Sequence, residues 1–97
     1  MINLSNRLKV LYEEYPGDNA WRDFVSSFPD IDQEILDHDS LDSDLIRVLY
    51  WKKGSNLEGV KSWLNKPIQA LDGNTPVKVA KLKAGKLILR TVLMRMP

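Results

Sequence analysis

The chain has 97 residues, 43% hydrophobic and 28% charged, with one histidine, no cysteine and a formal charge of +1. That length holds one core, burying about 65% of the unfolded surface, and the composition is ordinary for a soluble globular protein. Without cysteine, disulfides, thiolate catalysis and Cys-ligated zinc are excluded. Apolar runs of a few residues fall far short of the roughly 20 needed to cross a bilayer. The start, Met1 to Arg7, lacks the basic-then-apolar layout of a secretory signal, so a cytoplasmic location is expected.

Leu4, Leu8, Leu11, Tyr12 and Tyr15 recur on one face of a helix that stops at Pro16-Gly17. Asp18 or Asn19 is the expected N-cap of a second helix, with Trp21, Phe24, Val25 and Phe28 on its core face and Pro29 beyond its end. Ile31, Ile35 and Leu36 suggest a short third turn capped by Asp30, followed by a polar linker, Asp37-His38-Asp39-Ser40. Leu41, Leu45, Val48, Leu49 and Lys52 share the next face, which is expected to end at Gly54 in the left-handed conformation glycine adopts most easily.

Ser55 or Asn56 then caps a helix carrying Leu57, Val60 and Leu64, with Trp63 at the edge of its stripe. Pro67 is expected to open a short helix ending at Asp72-Gly73-Asn74. Thr75-Pro76 is the clearest start signal: the hydroxyl accepts from the first turn, and proline lacks a donor that would be orphaned there. Val77, Ala80 and Leu82 are expected to line that helix. Gly85 interrupts, and Leu87, Leu89, Val92, Leu93 and Met96 form a closing amphipathic helix. The pattern predicts an all-α, compact single domain of about six to eight short helices. An acidic helical segment over 1–40 is expected to pack as one unit with a helical module over 41–97.

The net charge conceals a polarity. Residues 1–50 carry four basic side chains against eleven acidic ones, a net −7, and residues 51–97 carry ten against two, a net +8. Attraction between the halves, head-to-tail self-association and separate partners would each account for it. Asp37-His38-Asp39 is the one cluster of ligand-type side chains, but adjacent residues diverge and metal sites need three or four converging ligands. The carboxylate pairs lie on polar faces, the glycines are dispersed, and a lone linker histidine supports no Ser-His-Asp arrangement. No enzyme activity, metal or cofactor is expected. Lys78, Lys81, Lys83, Lys86, Arg90 and Arg95 make the second half basic enough to meet phosphates or an acidic protein surface. Trp51 and Trp63 read as core residues that would serve as interface anchors if exposed in a groove.

Residues 63–76 read Trp63-Leu64-Asn65-Lys66-Pro67-Ile68-Gln69-Ala70-Leu71-Asp72-Gly73-Asn74-Thr75-Pro76. They resemble the W-L-x-x-P-x-x-A-L-x-G-x-T-P signature of the toxin-binding domain at the C-terminus of Xre/MbcA/ParS-type antitoxins. Gly85 and the helix Lys86 to Met96 extend the resemblance, which covers about residues 43–97. It implies a protein that binds a cognate toxin, often of the RES type that degrades NAD, and masks its active site. On that resemblance the partner-facing residues are Gly73, Lys86, Arg90, Leu93, Arg95 and Met96, with Val92 beside them. Arg90→Glu is then expected to weaken the complex and spare the fold. A homodimer is a further expected assembly. The alternative is a DNA-binding regulator or structural dimer using the basic half.

Overall fold

The computed structural model describes residues 6–31 and 42–96. Among them the chain forms six α-helices, one 3-10 turn and no strand, in the all-α single domain that the apolar periodicity predicts. No helix there is long and apolar enough to cross a membrane. Leu4, the helical turn expected around Ile35 and Leu36, Leu41, and the Asp37-His38-Asp39 cluster lie outside the described residues.

Helix α1 (Asn6–Glu13) buries Leu8 and Leu11 and leaves Val10 and Tyr12 exposed. Helix α2 (Asp18–Ser26) buries Trp21 and Val25, with Phe24 and Phe28 packed at the margin of the core. Its N-cap is Gly17 at φ 105°, with no side-chain cap, so Asp18 opens the helix instead of capping it. The Asp18 carboxylate instead accepts from Tyr15 Oη at 2.7 Å. Helix α3 (Ser43–Lys52) begins with Asp42, whose carboxylate accepts from the Asp44 N–H, and is followed by Gly54 at φ 74°, as the sequence predicts.

Helix α4 (Leu57–Leu64) is capped by Asn56, which accepts from the Glu58 N–H. The next short helix starts later than Pro67 suggests. Ile68 is extended, its N–H donating to Asn74 O, and a 3-10 turn covers only Gln69–Leu71. Asp72 and Gly73 both take positive φ and fold the chain back, so Gly73 N–H donates to Ile68 O. Thr75 then caps α5 (Pro76–Ala80) by accepting from the Lys78 N–H. Val79, which the stripe Val77, Ala80 and Leu82 passed over, is the fully buried member of that helix.

Helix α6 (Gly85–Arg95) is the centre of the fold, packed against by α1, α2, α3 and α5. Enclosure on several sides explains why Ile88, Leu89, Val92 and Leu93 are buried together with Arg90 and Thr91, a wider face than an amphipathic surface helix presents. Thr91 satisfies its hydroxyl inside that core by donating to Leu87 O at 2.9 Å.

Candidate functional site

Among the described residues two depressions flank α6, and four of the six expected partner-facing residues line one or the other. The larger is an open groove of about 660 Å³, lined by Val10, Leu11, Trp63, Ile68, Ala70, Val92 and Met96, with Asn6, Arg7 and Arg95 as its polar members. Helix α1 supplies one wall, the 3-10 turn and its bridge the second, and the end of α6 the third, with Trp63 of α4 set between them. Arg7 ties two walls together, Nη1 donating to Gln69 O at 3.1 Å. Lys52 Nζ donates to Met96 O at 2.7 Å and fixes the backbone where α6 ends.

Arg95 and Met96 therefore reach the groove, while Gly73 lies exposed in the turn whose Ile68 and Ala70 line it. Arg95 also pairs with Glu14 across the halves of the chain. Trp63 is 7% exposed and forms part of the groove wall as a core residue. Trp51 lies elsewhere, with Nε1 donating to Pro29 O at 2.8 Å.

Lys86 and Arg90 belong to the second depression, a polar cleft of about 360 Å³ lined by Asp18, Trp21, Arg22, Asp44, Lys86, Leu87 and Arg90. Lys86 and Arg95 are nine positions apart, roughly 13 Å along a helix, so the two are not neighbours. Arg90 is only 8% exposed. Its Nη2 donates to Asp42 at 2.8 Å, its Nη1 donates to Tyr15 Oη at 2.9 Å and lies 3.5 Å from Asp18, and its guanidinium sits 5.0 Å from the centre of the Trp21 ring. Burial opposes the charge on Arg90, but the bonds to Asp42 and Tyr15 outweigh it and hold the group above its ordinary range.

Leu93, at 1% exposure, is part of the core. Leu93 and Arg90, both expected to face a partner, are buried in this fold. Arg90→Glu would set a carboxylate beside Asp42 and Asp18 and damage the fold instead of sparing it. The cleft itself is a structural junction: two carboxylates oppose its cations, and the terminal nitrogens of Arg90 are committed. Trp21 Nε1 and Arg90 Nε are buried there without an acceptor, a cost the surrounding packing must offset.

Arg7, Val10, Ile68 and Ala70 also line the groove, although the sequence does not single them out as partner-facing. One signal was available: Val10 is apolar but lies off the Leu8/Leu11 stripe, so a helical α1 must turn it outward. Geometrically, then, the molecule is a small helical protein with an open apolar groove beside its closing helix. Comparisons with protein-family models, curated proteins and solved structures find no match to this chain.

Proposed function

We propose that the chain is an antitoxin-like protein that binds a cognate toxin and neutralises it by covering the active site, with no catalysis of its own. The observation that supports this reading most directly is the groove. It joins the turn of the antitoxin-like signature, through Ile68 and Ala70, to the end of the closing helix, through Val92, Arg95 and Met96. Val10, on its third wall, is 45% exposed and with Tyr12 is one of the two large hydrophobics that stand exposed among the described residues. An apolar surface of this kind, rimmed by polar groups, is typical of protein-binding sites. An enzyme of RES type acting on NAD is the toxin class that the signature implies.

The test is to express the tagged chain with its neighbouring gene and to follow growth with and without it. A stable complex together with rescued growth is the expected result. A neighbour that neither binds nor slows growth would sink the toxin reading.

A second reading has its own observation. Lys78, Lys81 and Lys83 are exposed around the end of α5, and none has a carboxylate within ion-pairing distance among the described residues. Phosphate contacts by all three would make log K for DNA fall with log salt at a slope of roughly −3. A flat salt dependence would remove this alternative.

A further inference from the structure

We infer that the groove receives an apolar helical segment flanked by acidic residues, contributed by the partner protein; this rests on the toxin-binding reading. The charge around the groove selects the sign of the flanks. Its only charged lining residues, among those described, are Arg7 and Arg95, and no carboxylate lines it. Arg7 is bound to a neutral carbonyl, and Arg95 to Glu14 in a pair about half exposed on both sides, of a type that solvent and other carboxylates readily exchange. Two guanidinium groups beside an apolar trough favour carboxylates on the occupant and repel lysines.

The geometry also selects the occupant's backbone. The described residues contain one isolated bridge, Ile68 to Asn74, and no strand, so no open sheet edge is offered for strand addition. Trp63 is the groove's single aromatic, too few for the aromatic-lined trough that proline-rich segments use. A helix laying residues i, i+3 and i+7 between Val10, Ile68 and Val92 satisfies the trough without unpaired backbone groups.

The proposal is tested with the full chain, isotope-labelled for amide NMR, and two synthetic helical peptides sharing leucines at i, i+3 and i+7. One carries glutamates on its flanks and the other lysines. The glutamate peptide should shift the amides of Val10, Ala70 and Met96 and bind roughly tenfold tighter than the lysine peptide, the effect of two exposed ion pairs. Arg7→Glu with Arg95→Glu should reverse that preference, and Val10→Asp should weaken both peptides; unchanged spectral dispersion verifies that the variants are folded. Equal affinities, no binding, or shifts confined to other surfaces would each overturn the proposal. Shifts of the same amides on dilution alone would identify a second copy as the occupant and overturn it equally. A toxin complex indifferent to Val10→Asp and to the double reversal would refute the groove and leave the toxin reading intact. Peptide discrimination without any toxin complex would do the opposite.

Discussion

Arg90 has the side chain whose position departs furthest from its sequence context. It lies in a basic half and on a helix that looks partner-facing, yet it is buried and closes a network that joins Tyr15, Asp18 and Asp42. Arg90→Met keeps much of the volume and removes the charge, leaving the mostly buried Asp42 carboxylate without its closest partner. The expected loss is about 2–4 kcal/mol, read as a fall in the urea midpoint at constant slope. A loss within experimental error would mean that solvent satisfies Asp42 equally well. Tyr15 adds a pH signature. Burial raises its pKa above the ordinary 10.0, and acceptance of its proton by Asp18 raises it further, against a smaller opposing effect of Arg90. The folded state thus holds the phenol proton more tightly than the unfolded state. That stabilisation is fully present below about pH 10 and is lost as pH rises through the folded value. Tyr15→Phe should cost about 1 kcal/mol at neutral pH, and the deficit should narrow as unfolding is followed above about pH 10. Parallel pH curves for the two proteins would disconnect Tyr15 from the network.

At the scale of the elements, Gly85 gives the sharpest expectation, because two effects predict opposite signs. As the first residue of α6 its replacement by alanine ought to help, since glycine is worse than alanine within a helix by about 1 kcal/mol. An added Cβ, however, would stand 1.8 Å from Val79 O and 2.8 Å from Val79 C, both backbone atoms that cannot swing aside. Gly85→Ala should therefore destabilise by about 3 kcal/mol or more, and calorimetry would register a lower Tm; a raised Tm would mean that α5 can move away. Thr75→Ala tests the other end of the same pair of helices and should cost about 1 kcal/mol through loss of the N-cap. The contrast explains what the sequence made legible. Thr75, Asn56 and Gly54 act within a few residues of themselves, so their roles follow from local geometry. Gly85 is a glycine because of a carbonyl on another helix, and Ile88 is buried because neighbouring helices enclose α6; neither can be read from a local stripe. Pro67 was misleading for a related reason, since the bridge between Ile68 and Asn74 holds the chain extended where proline alone would permit a first helical turn. Of the groove's lining, Arg95 and Met96 fall in the closing segment that extends the resemblance beyond the signature. Val10 and Arg7 were not legible, because the wall they form exists only once α1 has docked.

The whole molecule is held together across the boundary at which its charge changes sign. Among the described residues four ion pairs, Arg90 to Asp18, Arg90 to Asp42, Lys86 to Asp42 and Arg95 to Glu14, join the basic half to the acidic half, while Arg47 to Asp30 lies within the acidic one. Part of the −7 and +8 asymmetry is therefore answered inside the chain. Apolar packing follows the same seam: Leu8, Leu11, Trp21 and Val25 join one core with Ile88, Leu89, Val92 and Leu93. Residues 41–97, although they contain the antitoxin-like signature, would expose the faces of α6 that α1 and α2 cover. Burying four such side chains contributes about 1.5–3 kcal/mol each, comparable with the whole net stability of a domain. The isolated 41–97 fragment should consequently lose cooperative unfolding and amide dispersion, and adding a 1–40 fragment in trans should restore both. Because electrostatic attraction between oppositely charged halves assists encounter, recovery should be faster at low ionic strength than at high. A 41–97 fragment that unfolds cooperatively by itself would show that the groove's α1 wall is an accessory to a self-sufficient module. Recovery at a rate independent of salt would show that apolar docking alone brings the halves together.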